Sequence, residues 1–272
     1  YLLDRIDTRS HVRLVVVDGR IGYTGGFGLA DYWLGDGRHE GQWRDTNVRF
    51  EGPAVAALQA AFIAGWAEAT GVLLTGPRFI PPAVFQSVGS VTAGVMTMAP
   101  GVGSTTAERY LALSIAGARK TLYINNSYFI PSPDFRQLLR DAVSRGVDVR
   151  VLTANKRSDV KATWFAGREA YEELMRGGVR MYEYQPAMMH AKTFVVDGTW
   201  SSIGSMNFDN RSMSFNDEVN LVVLDAAFGA RMDAVFLDDL AHAKEMTLQY
   251  LAQRPWSEKL VEWGAGKLWR IL

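Results

Sequence analysis

The sequence contains no cysteine and no excess charge of either sign. The first absence excludes disulfides, thiolate metal sites and cysteine nucleophiles together. The 29 basic and 29 acidic side chains cancel. A protein that binds DNA or RNA usually has a basic excess, because neutralising phosphates supplies much of its affinity. The composition therefore disfavours a nucleic-acid partner, although a local basic groove would fit within a neutral total.

Long hydrophobic runs are also missing. No stretch of about 18 or more apolar residues occurs, so the sequence predicts no transmembrane helix in this chain, and no signal peptide is recognisable. The sequence begins at Tyr1, and only ten residues precede the first motif described below. We therefore expect a fragment that lacks its N-terminal region, together with any membrane anchor that lies there.

Short β-branched strands alternate with amphipathic helices along most of the chain. Residues 12–17 are typical of a buried strand that stops at an Asp-Gly turn, and Pro53 opens a helix predicted to end near residue 68. The apolar face of this helix is expected in the core and comprises Val55, Leu58, Phe62, Ile63 and Trp66. Alternation of this kind predicts an α/β fold.

A stretch richer in Gly, Pro, Ser and Thr, at 71–104, is the best candidate for a linker. One strand is predicted inside it, near 93–98. Regular alternation of helices and strands resumes at residue 105. The sequence therefore predicts two halves, the first at 1–90 and the second at 91–272.

Residues 11–28 and 190–207 form an internal repeat, which aligns without gaps, so that the separation between paired positions is constant. Each copy has a histidine, a cation two positions later, an aspartate seven positions after the histidine, and then a glycine. The paired residues are His11 with His190, Arg13 with Lys192, Asp18 with Asp197, and Gly25 with Gly204. The chain has only four histidines, which makes coincidence a weak explanation. A stronger alternative is a duplicated structure whose site has decayed.

The spacing has a chemical meaning. Residues two apart on a strand share a face, so the histidine and the cation of each copy point into one pocket. The aspartate has the opposite parity and lies at a tight turn, where it supports local structure. An imidazole beside a fixed cation suits an anionic phosphate, because the cation holds the non-bridging oxygens while the histidine attacks phosphorus or transfers a proton. The repeat thus predicts one phosphodiester-transfer site built from both copies.

These paired motifs resemble those of the phospholipase D superfamily. The second half matches the family pattern in type and order at His190, Lys192, Asp197, Ser205, Asn207 and Glu218. The stretches at 25–35, 43–54, 128–131 and 189–192 resemble the bacterial cardiolipin synthase branch. The resemblance covers nearly the whole chain. It implies two pseudo-symmetric halves, each a mixed sheet flanked by helices, with one active site at their interface.

The resemblance implies a two-step transfer through a phosphohistidine, without metal or cofactor. By analogy, His11 attacks the phosphodiester and His190 protonates the leaving alcohol. In cardiolipin synthesis the acceptor is a second phosphatidylglycerol and glycerol leaves, whereas water as acceptor gives phosphatidic acid. The expected partners are phospholipids and a membrane surface. The expected location is a bacterial cell membrane, reached through the missing N-terminal segment.

The resemblance also implies a role for each site residue. Arg13 and Lys192 would grip the phosphate, and Asp45 and Glu218, one in each half, would orient the histidines. The candidate catalytic residues are His11, Arg13, Asp18, Asp45, His190, Lys192, Asp197 and Glu218. The candidate substrate-binding residues are Gly25, Gly26, Tyr128, Gly204, Ser205 and Asn207. No metal site is predicted, because two of the four histidines belong to the repeat and cysteine is absent.

The first copy departs from the family pattern at two positions. Arg13 stands where lysine is usual, which keeps the charge but replaces a compact ammonium with a larger planar fork. Gly28 stands where asparagine is usual, so one hydrogen bond to phosphate is expected to be lost. Both changes leave the fold unaffected and bear on activity.

Four functions remain open from the sequence. The first is a cardiolipin synthase-like phosphatidyltransferase, and the second is a phospholipase D that uses water. The third is an endonuclease of the same superfamily, which the neutral charge disfavours. The fourth is a non-catalytic relative that binds lipid or phosphate, suggested by Arg13 and Gly28. The sequence indicates no oligomeric state.

The tail carries Trp256, Trp263 and Trp269 at spacings of seven and six residues, with basic residues among them. These spacings put the three rings roughly on one face of a helix. Packing against the rest of the fold is the expected explanation. A helix lying in a membrane interface is the alternative.

Overall fold

A computed structural model describes residues 9–99 and 105–268 of the chain. The strands are β1 (Arg9–Ser10), β2 (Leu14–Val17), β3 (Ile21–Gly25), β4 (Trp43–Arg44), β5 (Asn47–Glu51), β6 (Thr92–Met98), β7 (Thr121–Asn126), β8 (Asp148–Thr153), β9 (Arg180–Tyr184), β10 (Met188–Met189), β11 (Lys192–Val196), β12 (Trp200–Gly204), β13 (Asn216–Leu224) and β14 (Ala243–Glu245). The α-helices are α1 (Ala54–Thr70), α2 (Thr106–Gly117), α3 (Pro133–Ser144), α4 (Lys161–Glu169), α5 (Tyr171–Arg176), α6 (Asn210–Ser214), α7 (Ala226–Leu240), α8 (Leu248–Ala252) and α9 (Trp256–Gly266). The predicted α/β class is confirmed.

Nine strands form one large mixed sheet. Its order is β1-β13-β12-β11-β7-β8-β9-β14, and β6 also pairs with β13. Strands β7, β8 and β9 are parallel and are joined through α3, α4 and α5, since parallel neighbours need a crossover connection. The strand predicted near 93–98 is confirmed as β6, which extends this sheet.

Hydrophobic side chains cover both faces of the large sheet. Because successive strand residues point to opposite faces, Leu122 and Ile124 of β7 belong to one buried cluster and Tyr123 belongs to another. The Tyr123 ring stacks on Phe236 of α7, with 4.8 Å between ring centroids. The sheet is therefore covered by several helices on one face and by α7 together with β4 and β5 on the other.

A second, smaller sheet contains β2, β3 and β5, all antiparallel. Helix α1 packs against this sheet and against β6. The expectation of a mixed sheet in each half therefore differs from the structure in the first half. The described part of that half, before β6, has no counterpart of the parallel strands β7 to β9.

The internal repeat is reproduced in strand register. In the first copy Val15 faces Tyr23 and Val17 faces Ile21 across the β2–β3 hairpin. The aligned residues of the second copy face each other in the same way across the β11–β12 hairpin. Both hairpins turn at an aspartate with φ of 53° followed by a glycine with φ of 61°, at 18–19 and 197–198. The two copies are thus structural duplicates.

Two short pairs of parallel strands cross between the copies. Strand β1, which ends just before His11, pairs with the first two residues of β13 in the second half. Strand β10, which ends just before His190, pairs with β4 in the first half. The His11 amide donates to the Asp217 carbonyl at 3.0 Å, and the His190 amide donates to the Arg44 carbonyl at 2.7 Å. Each histidine is therefore anchored by the opposite half.

Helix α1 buries fewer of its apolar residues than predicted. Val55, Leu58 and Ile63 are buried as expected, whereas Phe62 and Trp66 are exposed. The prediction was wrong for these two aromatic residues. The reason is that α1 packs mainly on one side, against the small sheet and β6, and its opposite side has no neighbouring element among the described residues.

Helix α9 buries a charged residue and exposes apolar ones, which is the opposite of an ordinary surface helix. Its buried residues are Glu262 and Gly266, and Glu262 pairs with the buried Arg168 of α4 at 3.1 Å. Trp256 and Trp263 are 78% and 57% exposed. The prediction that these rings pack against the fold was therefore wrong, because a charged face of α9 takes that place. The third tryptophan of the pattern, Trp269, lies outside the described residues.

Candidate active site

Both histidines of the repeat lie in dyads with a carboxylate. His11 Nδ1 is 2.9 Å from Glu218 Oε1 and 3.0 Å from Glu218 Oε2. His190 Nδ1 is 3.0 Å from Asp45 Oδ2. Because an ionised carboxylate can only accept, Nδ1 is the donor in such a pair, and Nε2 is left to attack or to take up a proton.

The dyads are crossed between the halves. His11 belongs to the first half and its partner Glu218 to the second, while His190 belongs to the second half and its partner Asp45 to the first. The cause is the strand pairing described above, since β1 lies beside the start of β13 and β10 lies beside β4. Neither half can therefore complete its histidine site alone.

Lys192 lies at the centre of the site and is almost fully buried. Its Nζ donates to Ser127 Oγ at 2.8 Å and to the His190 carbonyl at 2.7 Å. The same Nζ is 3.0 Å from His190 Nε2. Lysine and imidazole therefore share one pocket, as the two-residue spacing predicts.

Burial sets the charge states around His190. It lowers the pKa of His190 well below the usual value, and the neighbouring Lys192 charge lowers it further. Burial raises the pKa of Asp45 to about 7, although the Lys192 charge opposes this shift. Burial also lowers the pKa of Lys192 to about 8, against the attraction of Asp45 and Glu218. Burial thus favours the neutral imidazole of His190, and Lys192 supplies positive charge to the pocket.

Arg13 is the cation of the first copy. It is partly buried, and within the described residues its side chain donates no hydrogen bond. Its positive charge adds to the effects of burial that lower the pKa values of His190 and Lys192. The guanidinium therefore acts on the same pocket as Lys192 and has donors available for an anion.

Ser205 and Asn207 support the site from the end of β12. Ser205 Oγ donates to Glu218 Oε2 at 2.5 Å, on the carboxylate that holds His11. Asn207 Oδ1 accepts from Ser127 Oγ at 3.1 Å, and Ser127 in turn accepts from Lys192. The structure thus places both residues in the network that orients the histidine and the lysine.

The three predicted glycines allow close backbone approach. A Cβ on Gly25 would lie 2.2 Å from Asn47 Oδ1, and a Cβ on Gly204 would lie 2.2 Å from Asn220 Oδ1. A Cβ on Gly26 would lie 2.5 Å from Asp45 Oδ2. Each glycine therefore has a packing reason beside a dyad, and its contact with substrate stays a prediction.

Tyr128 also lies in the site. Its ring is 6.3 Å from the His190 ring between centroids, and Lys192 Nζ is 5.8 Å from the tyrosine ring centroid. Its hydroxyl donates to Asp159 at 2.8 Å. Burial raises the pKa of Tyr128, as does the Asp159 charge, so the hydroxyl stays protonated.

Asp18 and Asp197 are not brought to the site, which corrects their inclusion among the candidate catalytic residues. Both occupy the turn at the far end of a hairpin strand from the histidine and the cation. The Asp197 carboxylate accepts from the backbone amides of Arg119, Lys120 and Thr121 at 2.7–3.2 Å. Asp18 is exposed. Asp197 thus supports its hairpin turn, whereas the Asp18 side chain makes no hydrogen bond among the described residues.

Four site residues were missed from the sequence. Trp33 and Trp43 contact the His190 ring at centroid distances of 4.8 and 5.0 Å, Ser127 holds Lys192, and Asp159 holds Tyr128. Ser127 lies between Asn126 and Tyr128 at the end of β7, so its position on a strand end was the available signal. The two tryptophans lie outside the repeat, and their available signal was their place in the stretches 25–35 and 43–54 that resemble the cardiolipin synthase branch.

Metal ligands do not cluster in the site. Across residues 9–99 and 105–268, no group of three or more His, Asp or Glu side chains is arranged to hold a metal ion. Over the same ranges, no helix is long and apolar enough to cross a bilayer.

Comparisons with known proteins point to one family. A family model described as "Cardiolipin synthase, PLD-like domain" matches residues 111–240. The chain is 36% identical over 265 residues to a cardiolipin synthase of Geobacillus sp. (strain WCH70), which covers 96% of this chain and 52% of that relative. It is 36% identical over 245 residues to cardiolipin synthase A of Pseudomonas putida, covering 90% of this chain and 50% of that relative. The chain thus spans about half the length of these curated relatives.

A solved structure shares the fold. The crystal structure of phosphatidylserine synthase from Haemophilus influenzae Rd KW20 superposes with a TM-score of 0.71 at 15% sequence identity. The match covers 97% of this chain and 70% of that chain. The two proteins therefore share their fold over nearly the whole of this chain.

Proposed function

The chain belongs to the phospholipase D superfamily, in its cardiolipin synthase-like branch, and we propose that it transfers a phosphatidyl group between alcohols through a phosphohistidine. The observation that carries the proposal is the pair of crossed dyads, His11–Glu218 and His190–Asp45. His190 presents Nε2 to Lys192 at 3.0 Å, and His11 is near enough to act electrostatically on His190. Two oriented imidazoles beside buried positive charge are what a two-step displacement on phosphorus requires.

In the proposed reaction the two histidines have different roles. One is the nucleophile, and the other transfers the proton. In the first step, Nε2 of one histidine forms a bond to phosphorus while the bond from phosphorus to the leaving alcohol oxygen breaks. The other histidine, protonated, gives its proton to that oxygen. In the second step the acceptor alcohol loses its proton to this same histidine and attacks phosphorus, which releases the first histidine.

The surroundings of His190 bear on which histidine attacks. The family resemblance assigns the nucleophile to His11. A nucleophilic imidazole must be neutral before it attacks, and burial favours the neutral form of His190 by lowering its pKa in the free protein. This environment supports the opposite order, with His190 attacking and His11 transferring the proton. Identifying which histidine carries the covalent bond to phosphorus distinguishes the two orders.

The proposed donor is a phospholipid, with phosphatidylglycerol as donor and acceptor and cardiolipin plus glycerol as products. Hydrolysis to phosphatidic acid is the alternative, because water can attack the same intermediate. We also propose that residues 1–90 and 91–272 are the two halves of the enzyme. The crossed pairs at β1–β13 and β4–β10 support a single site shared by them.

The test of this function supplies the chain with phosphatidylglycerol vesicles and separates the products by chromatography. Cardiolipin with an equal amount of glycerol is expected, and phosphatidic acid would favour hydrolysis. The control is His190→Ala, which should abolish both products. Absence of turnover of any phosphodiester, or turnover that survives this substitution, would contradict the proposal.

A membrane surface is the proposed setting, and α9 supports it. Trp256, Leu260 and Trp263 follow the spacing of one helix face and point outward, while the charged Glu262 faces the fold. Tryptophan favours the interface between lipid and water. We propose that this face lies on the bilayer of a bacterial cell membrane. Replacing both Trp256 and Trp263 by Ser should weaken sedimentation with anionic vesicles, whereas Trp66→Ser should not.

A further inference from the structure

The first copy of the repeat lacks one side chain that the second copy uses. Gly28 is the counterpart of Asn207 in the gapless alignment of the two copies. Asn207 is buried in the Lys192 network, where its Oδ1 accepts from Ser127 at 3.1 Å. Within the described residues, its amide nitrogen donates no hydrogen bond, so it is available to a ligand. A glycine at the corresponding place offers no such donor.

The indole of Trp33 fills the space that a side chain on Gly28 would occupy. A Cβ built on Gly28 would lie 2.3 Å from Trp33 Nε1. This is close to the separation between Cβ and the amide nitrogen inside an asparagine side chain, which are two covalent bonds apart. The Trp33 nitrogen therefore lies as far from the Cβ position of residue 28 as the amide nitrogen of an asparagine there would lie.

Trp33 is held in this position by other aromatic rings. Its ring centroid is 4.7 Å from that of Trp43 and 5.5 Å from that of Tyr32. The edge of His190 lies against it, with the planes at 73° and 4.8 Å between centroids. The ring belongs to a short 3-10 turn, Asp31–Trp33, in the loop between β3 and β4. The indole is thus fixed beside one of the two proposed reacting histidines.

The indole N–H of Trp33 has no hydrogen-bond acceptor among the described residues. Among the contacts of the described residues, Trp33 Nε1–H makes no hydrogen bond, and the side chain is only partly buried. An indole N–H can donate but cannot accept. Its natural ligand is therefore an anionic oxygen, and the charges of Lys192 and Arg13 favour an anion in the same pocket.

We propose that Trp33 Nε1–H binds a non-bridging phosphate oxygen of the substrate, in place of the amide that the repeat would supply at residue 28. This inference rests on the proposed function for the identity of the substrate, a phosphodiester. Gly28 and Trp33 form one unit, because any side chain at 28 would displace the indole. The first half thus keeps a phosphate donor despite its missing asparagine, and it supplies that donor from a different segment.

The test measures inorganic phosphate binding by isothermal titration calorimetry, alongside kcat/KM with phosphatidylglycerol. Trp33→Phe keeps an aromatic ring at this position while it removes the indole N–H and one ring of the bicyclic system. We expect it to weaken phosphate binding and lower kcat/KM by about 10-fold each, as for one lost hydrogen bond to a charged group. Trp66→Phe, an exposed tryptophan on α1, is the matched control and should change neither.

A paired substitution tests the geometry. Trp33→Ala should weaken phosphate binding as Trp33→Phe does, and Gly28→Asn combined with Trp33→Ala should recover most of the affinity. Gly28→Asn alone should weaken binding, since its Cβ would collide with the indole. Circular dichroism establishes that each variant is folded.

Several results would overturn the inference. They are unchanged phosphate affinity in Trp33→Phe, an equal loss in Trp66→Phe, no recovery in the folded paired variant, or no phosphate binding by the unaltered chain. Failure of the proposed function has a different signature. In that case the unaltered chain converts no lipid, while phosphate binding still follows the pattern predicted for Trp33 and Gly28.

Discussion

The His190 side chain is 5% exposed and the His11 side chain is 21% exposed, although each follows a two-residue strand and each contacts a carboxylate of the other half. Around His190 lie Lys192 and the rings of Trp33 and Trp43. Around Glu218, the partner of His11, lie Ser205 and Asn216. The comparison shows that duplication conserved the backbone of the two centres while their surroundings diverged.

This divergence suits two chemical roles. A buried imidazole beside a lysine is kept neutral, whereas a more accessible imidazole can exchange a proton with the leaving and entering alcohols. Two identical centres would compete for the same role.

Loss of either imidazole should have the largest effect. His11→Asn and His190→Asn are each expected to lower phosphatidyl transfer on the order of 10⁴-fold or more, because residues that act as one catalytic unit are individually essential. His39→Asn changes an exposed histidine and should have no effect. Steady-state rates on phosphatidylglycerol vesicles measure this. A substantial residual rate in one variant would mean that the two centres do not act on the same reaction.

Loss of a dyad carboxylate should have a smaller effect. Glu218→Gln and Asp45→Asn should each reduce the rate by roughly 10- to 100-fold, as for groups that orient a reacting residue. Nitrogen NMR of the histidine rings adds a direct readout of the crossing. Glu218→Gln should change the His11 ring signals and Asp45→Asn those of His190. The reverse pattern would contradict the crossed arrangement.

The pH dependence should reflect the buried lysine. Because the pKa of Lys192 is lowered to about 8, the charged form is present below that pH and is lost as pH rises through it. We expect kcat/KM to fall above about pH 8. The Asp159 charge opposes the lowering of this pKa, so Asp159→Asn should move the alkaline limb to lower pH. Asp141→Asn on α3 is the control, and an unmoved limb in Asp159→Asn would refute this account.

The two hairpin turns should differ in stability and not in activity. Asp197 accepts three backbone amides, so Asp197→Asn should lower the free energy of unfolding by roughly 1–3 kcal/mol. Asp18 is exposed, and Asp18→Asn should change it by less than about 0.5 kcal/mol. Asparagine tolerates the left-handed backbone at both turns. Urea denaturation measures the difference, and equal effects would show that the turns are equivalent.

The sequence predicted much of this arrangement through the repeat. A gapless alignment of the two copies was sufficient to pair the hairpins in register, because register follows from side-chain alternation and turn position. The crossing of the dyads could not be predicted. Asp45 and Glu218 both lie outside the gapless repeat, far from each other along the chain, and nothing local determines which histidine each one reaches.

The remaining misses have physical causes of the same kind. Phe62 and Trp66 fit an amphipathic helix, but burial depends on whether another element covers that side of α1. The outward tryptophans of α9 depend on the buried Arg168, which draws Glu262 inward. Trp33 lies in the loop after β3, beyond the end of the gapless repeat at residue 28. The burial or position of each of these side chains depends on tertiary packing, which sequence periodicity does not predict.

One phosphodiester should react at the two crossed dyads. Trapping of the covalent intermediate tests this directly. The chain is mixed with phosphatidylglycerol, quenched within milliseconds in alkali, under which phosphohistidine persists, and mapped by peptide mass spectrometry. We expect a phosphatidyl adduct, or the glycerophosphoryl group that remains after alkaline loss of its acyl chains, on one of His11 and His190. It should be abolished by substitution of that histidine and reduced by substitution of its carboxylate in the opposite half. Continued turnover with no adduct on either histidine, or with an adduct elsewhere, would contradict it.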